Sequence, residues 1–205
     1  NIYQAIGIIM GANIGTTITG QLVALNISAM APIIAFVGFC LHSFASDKKK
    51  ASLGKAIMGL GFLFMGMELM SQAMEPLRDY PGFVTLMTKF ENPILGVLAG
   101  TAITAIIQSS SASLGILQAI ANQGVIPLHS AMYIIFGFNI GTCITSVLSS
   151  VGSSKNAKRT ALVHVLFNII GTIIFVIISF IIPIDKVITN ISRDLPAAQI
   201  ANLHT

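Results

Sequence analysis

The sequence predicts an all-α polytopic membrane protein with inverted-topology repeats, a re-entrant hairpin and interrupted transmembrane helices. Three observations predict it. Hydrophobic residues make up 54% of the chain and charged residues only 9%, against about a quarter charged in ordinary soluble domains. A motif is written twice inside apolar sequence: Gly11-Ala12-Asn13-Ile14-Gly15-Thr16-Thr17-Ile18-Thr19 returns 126 residues later as Gly137-Phe138-Asn139-Ile140-Gly141-Thr142-Cys143-Ile144-Thr145. Finally, Gln108-Ser109-Ser110-Ser111 stands between two apolar arms, each short of the roughly 17–25 residues a membrane helix needs.

In order along the chain, Ile2–Met10 is an apolar arm that runs into the first motif and resumes through Thr16–Leu25. Each motif copy sets glycines, an Asn and Thr hydroxyls where a membrane helix is normally apolar. Gly11, Gly15, Gly137 and Gly141 are therefore expected to break their helices. Irregular backbone at membrane depth is tolerated only around a cavity, and paired interruptions point to a transporter's substrate site. The plainer reading makes Gly11-x-x-x-Gly15 and Gly137-x-x-x-Gly141 small-residue seams for helix packing. The attached Asn and Thr, and the nearby serines, favour the site.

Ala29–Ala45 and Ala56–Ala73 read as spans on either side of a basic loop, Ser46–Lys55. Glu75–Asn92 is a polar connector in which Tyr80, Phe83, Met87 and Phe90 recur at helical spacing, as in an interfacial helix. Pro93–Ile107 and Ala112–Asn122 are the arms of the hairpin. Ser130–Phe136, the second motif and Ile144–Val151 form another interrupted crossing. A second basic loop, Gly152–Arg159, leads into the span Thr160–Ile182, which Pro183 ends. Ile184, Ile188, Ile191 and Leu195 suggest a helix along the interface. The organisation follows: 1–46 as the later part of a first repeat, 47–92 as basic loop, linking span and connector, 93–182 as the second repeat, and 183–205 as an interfacial tail leading to a further span.

Seven of the eleven Lys and Arg fall in the two basic loops. That clustering marks cytoplasmic loops under the positive-inside rule, not a nucleic-acid surface. With both loops on one side and the hairpin re-entrant, the two motif copies cross in opposite directions. Cys40 and Cys143 both lie in apolar stretches, which argues against a disulfide between them. The chain opens without Met inside an apolar segment and reads as a piece of a longer protein.

Gln108, Ser109, Ser110 and Ser111 offer an amide and three hydroxyls at a hairpin tip. The helix that follows points its free N–H groups at that tip, a ready anion site. The same oxygens, with Asn13, Thr16, Thr17, Thr19, Asn139, Thr142 and Thr145, suit a small hard cation. No Lys or Arg lies within a proposed span, so a mid-membrane anion lacks a fixed counter-charge. A co-bound sodium ion would supply it and couple the two. Glu68 is a membrane carboxylate that either binds an ion or snorkels to the outer interface. His164 and Asn168 share one helix face and suit interhelical hydrogen bonding. His42 reads as interfacial, and Met58, Met65, Met67, Met70 and Met74 as packing.

Gln108-Ser-Ser-Ser-Ala112, both Asn-Ile-Gly-Thr motifs and Ala161-Leu-Val-His-Val-Leu-Phe-Asn168 resemble the sodium-dependent phosphate cotransporter family, bacterial members most closely, over essentially all 205 residues. In that family each inverted repeat carries a Gln-Ser-Ser-Ser segment followed by an Asn-Ile-Gly-Thr segment. By the 126-residue offset, the first serine segment would fall about 18 residues ahead of Asn1. The position of Phe138 is often Gln in bacterial relatives, which puts a polar contact beside Asn139 in doubt.

The resemblance implies phosphate binding by Gln108, Ser109, Ser110, Ser111, Asn13 and Asn139. It implies sodium binding by Ser110, Ser111, Thr16, Thr17, Asn139 and Thr142. The expected function is sodium-coupled symport of inorganic phosphate across the bacterial inner membrane by alternating access. Sodium is the coupling ion, with no cofactor and no metal beyond it. A homodimer and a cytoplasmic regulator-like domain are further expectations of the family. The rivals are a sodium-independent anion channel and the same build for another oxyanion. A membrane hydrolase with Ser110 as nucleophile needs a base, and His164 and Glu68 lack a supporting motif. The expectation is a transporter, not an enzyme.

Overall fold

The computed structural model describes every residue except Asn1, Asn26, Arg78 and Arg193, and every other side chain except those of Ile2, Tyr3, Ser28, Met74 and Leu77. The described residues form helices and no strands, in the order α1 (Ile2–Val23), α2 (Ala31–Phe44), α3 (Lys48–Met74), α4 (Pro81–Lys89), α5 (Pro93–Ile107), α6 (Ser110–Asn122), α7 (Leu128–Ser150), α8 (Lys155–Ile181), α9 (Ile184–Ile191) and α10 (Pro196–His204). Among the described residues, four helices are long and apolar enough to cross a membrane: α1, α3, α7 and α8. A fifth crossing is available if α4 and α5, bent by 109° at their junction, are counted together.

The caps follow local chemistry. Asp47 accepts from Lys49 N at the start of α3, Asn92 from Ile94 N and Leu95 N at the start of α5, and Ser154 from Ala157 N at the start of α8. These side chains satisfy amides that a helix leaves open at its first turn. The basic loops are shorter than expected. Lys48–Lys50 and Lys55 belong to α3, and Lys155, Lys158 and Arg159 open α8.

Contacts fix the direction of each helix. α2 lies antiparallel on α3, with Gly61 against Ala35, and Gly38 and Gly54 against Met58 and His42. α5 and α7 run side by side in one direction: Gly96 meets Tyr133, Gly100 meets Ile134, and Gly141 meets Thr104 and Ala105. α8 returns along α7, with Thr172 Oγ1 donating to Phe136 O and Asn168 Nδ2 to Cys143 Sγ. α6 points the same way as α3, since Gly115 faces Met67 and Gln123 Nε2 donates to Ser71 O. α5 and α6 therefore enter and leave at one level, with Gln108 and Ser109 at the tip between them. α1 follows α6, from Asn13 beside Asn168 to Val23 and Ala24 beside Asn122 and Gln123. α1 and α7 thus run in opposite senses, and the lysine-rich starts of α3 and α8 lie at the same end.

Three expectations need correction. Neither motif breaks its helix: α1 and α7 are continuous through Gly11–Gly15 and Gly137–Gly141. An interior glycine costs a helix only about 1 kcal/mol relative to Ala, and the hydroxyls of Thr16, Thr17, Thr142 and Thr145 bond to carbonyls of their own helix, so nothing forces the backbone open. Gly137 and Gly141 instead let α5 approach closely. A Cβ on Gly137 would overlap the Val97 carbonyl oxygen, and one on Gly141 would stand 2.6 Å from Thr101 O. That is the small-residue seam.

The second correction concerns the tail. α9 is amphipathic with no buried residue, as an interfacial helix would be. His129 Nδ1 lies 3.4 Å from Asp185 Oδ2, tying α9 to the start of α7. α10, however, turns inward, and Ile200 and Ala201 are almost wholly buried. Ile200 joins the apolar core built by buried residues of α6 and α7. α2, at 14 residues, covers about 21 Å at 1.5 Å per residue. It is shorter than the span expected over Ala29–Ala45.

Candidate functional site

The hairpin tip is a helix-to-helix turn made by two residues. Gln108 adopts the left-handed region (φ 59°), with its N–H donating to Thr104 O at 2.7 Å. Ser109 then caps α6: its Oγ accepts from Ala112 N, and its carbonyl accepts from both Ser113 N and Ser113 Oγ. The amides of Ser110 and Ser111, the first two of α6, fall among those a helix leaves without an internal partner. Ser110 is buried, and Ser111 lines a cavity of about 430 Å³ with Thr19 of the first motif and Gly66, Met67 and Met70 of α3. Phe62 and Leu63 also face this cavity, so the tip region sits within the apolar length of α3 and not at its basic end.

Four of the five motif threonines share one habit. Thr16 Oγ1 donates to Ala12 O, Thr17 to Ile14 O, Thr142 to Phe138 O and Thr145 to Thr142 O, at 2.7–3.0 Å. Each of these hydroxyl protons is committed to the helix. What these side chains have left to offer is lone pairs, which suit a cation and not an oxyanion.

The two motif copies meet through a third helix. Asn13 Nδ2 donates to Asn168 Oδ1 at 3.4 Å, and Asn168 Nδ2 donates to Cys143 Sγ at 3.2 Å and to His164 O at 3.0 Å. Ser146 Oγ lies 3.0 Å from His164 Nδ1. Interhelical bonding is thus the work of Asn168 and His164 on α8. Cys143 and Cys40 are both free thiols.

Not all expected residues converge. Asn139 opens on a different cavity, of about 200 Å³, shared with Phe136, His204 and Thr205. Gln108 is exposed beside the tip. Sequence reasoning missed Gln118, which is fully buried and donates to Gly20 O of α1 and Ala197 O of α10. Its signal was there: a lone amide inside the apolar run Leu114–Ala121. Among the described residues, no Lys or Arg lines the cavities that hold Ser111, Asn139 or Glu68.

The profile of the Na+/Pi-cotransporter family matches residues 1–72 and 80–189. The chain belongs to this family. Among its relatives are YqeW of Bacillus subtilis (strain 168), "Uncharacterized protein YqeW", 33% identical over 71% of this chain and 48% of that protein. "Putative inorganic phosphate export protein YjbB" of Escherichia coli (strain K12) is 25% identical over 71% of this chain and 27% of its own length. Human "Sodium-dependent phosphate transport protein 2B" is 31% identical over 47% of this chain and 15% of its own. The chain spans about half the length of YqeW and about a quarter of YjbB. No solved structure gives a significant match. A multi-pass membrane protein of the Na+/Pi-cotransporter family is the plain result.

Proposed function

We propose that the intact protein moves inorganic phosphate across the bacterial inner membrane in symport with sodium, by alternating access. The observation that carries this is the hairpin tip. The first amides and serine hydroxyls of α6 lie at membrane depth, Ser111 shares a cavity with the motif threonine Thr19, and among the described residues no Lys or Arg lines that cavity. A buried anion there needs a mobile positive charge, and sodium provides it. Gln108, Ser109, Ser110, Ser111 and Asn13 hold phosphate. Ser110, Ser111, Thr16, Thr17 and Thr142 give sodium their spare lone pairs. Asn139 faces another cavity in the present arrangement, so its contribution belongs to a second conformation.

The opposite senses of α1 and α7 support an inverted repeat. In it, the open glycine face of α1 seats a second hairpin, as α5 seats on α7. Radiolabelled phosphate uptake by the intact protein in proteoliposomes tests the function. Uptake is expected under an inward sodium gradient and not under an equal potassium gradient, and it falls at least tenfold in Ser110→Ala. Equal uptake with either cation would leave a sodium-independent anion channel instead. The export named for YjbB favours a second reading in which net flux runs outward. Reversing the sodium gradient in the same vesicles separates a reversible carrier from a one-way exporter.

A further inference from the structure

We propose that the cavity beside Glu68 is a cation-binding vestibule, with sodium as its ligand. The identity of the cation rests on the sodium-coupled reading above.

The cavity measures about 340 Å³ and is walled by α3, the end of α6 and the start of α10. Glu68 is the one charged side chain lining it among the described residues. The other polar side chains lining it are Ser71, Asn122 and Gln123, each with an oxygen. Gln72 Nε2 donates to Glu68 Oε1 at 3.1 Å, holding the carboxylate while its second oxygen stays open. Gln123 commits its amide nitrogen to Ser71 O and Ser71 Oγ, both at 3.1 Å, so the carbonyl oxygen is the end left over. Asn122 Oδ1 is oriented by the Ala197 N–H and keeps a lone pair. A carboxylate with amide and hydroxyl oxygens, completed by water, is the ligand class of a hard cation. A carboxylate that is the one charged lining group among the described residues draws cations into a cleft and turns phosphate away.

Position gives the site its use. Glu68 lies 20 residues beyond Lys48 on one helix, a rise of about 30 Å, which matches the hydrocarbon thickness. The cavity therefore opens at the face opposite the basic end. It also shares Val23 and Met67 with the cavity that holds Thr19 and Ser111. Met67 Sδ lies against Gly115, where a flexible thioether separates the two chambers. A cation captured at Glu68 is thus one side chain away from the hairpin-tip chamber and arrives there ahead of the anion.

The test uses the intact protein in nanodiscs and in proteoliposomes, with wild type, Glu68→Gln and Glu68→Asp. ²³Na relaxation without phosphate reads sodium binding directly, and the sodium activation curve of uptake reads its consequence. In Glu68→Gln the half-saturating sodium concentration is expected to rise about tenfold, equivalent to about 1.4 kcal/mol. Phosphate affinity at saturating sodium stays unchanged, and Glu68→Asp falls between the two. Sodium relaxation and activation curves that coincide for wild type and Glu68→Gln would overturn the vestibule. If wild-type uptake needs no sodium, the coupling reading fails, while the relaxation experiment still decides whether Glu68 holds the ion.

Discussion

α1 and α7 carry nearly the same nine residues, and the protein treats them differently. In the membrane-length window of α7, 56% of residues are buried, against 6% in α1. A Cβ added at Gly137 or Gly141 would run into the backbone of α5, while one at Gly7, Gly11 or Gly15 would meet nothing within 4 Å. The sequence of the motif therefore does not specify a helix break. It specifies a flat helix face with an Asn and lone-pair-bearing Thr beside it. α7 has α5 against that face, and in α1 the face stands open. Small residues at a membrane seam are useful only where a second backbone comes close.

The sharpest way to break this comparison is to fill the two faces. Gly137→Val places methyl groups into the Val97 carbonyl and the Thr101 amide, and should cost about 3 kcal/mol or more by forced displacement of α5. The fluorescence-monitored thermal unfolding of residues 1–205 in detergent should register that loss. Gly11→Val in the same piece should shift the midpoint little, because its surroundings are open. In the intact protein the proposal of a second hairpin predicts that Gly11→Val becomes as damaging as Gly137→Val. A harmless Gly11→Val in the intact protein would mean that the face of α1 is not a seat, and the inverted repeat would lose its structural support.

Much of this fold could be read before any coordinates. Low charge, the lengths of the apolar runs and the two lysine clusters gave the helices and their directions, because hydropathy and loop charge act locally. The hairpin tip was legible because serine at a helix start caps amides by short-range geometry, as Ser109 does. The fate of the glycines was not. Gly11 and Gly137 look alike in sequence, and only the approach of another backbone separates a seam from a bare face. Gln118 and α10 were missed for the same reason. An isolated amide and a short amphipathic tail acquire meaning only when α1, α6 and α10 come together around them.

A smaller effect is expected where the two copies are joined. Asn168 takes a hydrogen bond from Asn13 and gives one to Cys143, so Asn168→Leu removes a bond to each copy at once, while His164 and Thr172 still tie α8 to α7. Interhelical hydrogen bonds in membranes are worth about 0.6–2 kcal/mol, and the loss should lie in or slightly above that range. Cys143→Thr, which writes the residue of the first copy into the second, is the companion variant. It keeps an acceptor for Asn168 and should stay within about 1 kcal/mol of wild type. If Asn168→Leu and Cys143→Thr gave equal losses in unfolding midpoint, the bridge would be packing and not hydrogen bonding.

The smallest effect concerns α10, which touches both copies: its His204 lies near Gly20 of α1 and shares a cavity with Asn139 of α7. Burial pushes the His204 imidazole below its ordinary value of 6.5, and Nδ1 has no hydrogen-bond partner. The neutral ring is therefore the form that fits the docked helix. Above pH 6.5 both docked and undocked forms are neutral, and docking keeps its full stability. As pH falls below 6.5 the undocked form takes up a proton that the docked form resists, so docking weakens until the lowered value is passed. A single group contributes at most about 1.4 kcal/mol per pH unit across that window. The protection factors of residues 196–204, that is exchange rates corrected for the base-catalysed intrinsic rate, should fall on acidification from pH 7.5 to 5.5, and His204→Gln should flatten that dependence. An equal fall in His204→Gln would place the titrating group elsewhere. If protection at Gly20 falls with α10 while protection at Gly137 does not, the loosely held copy is the one that α10 steadies.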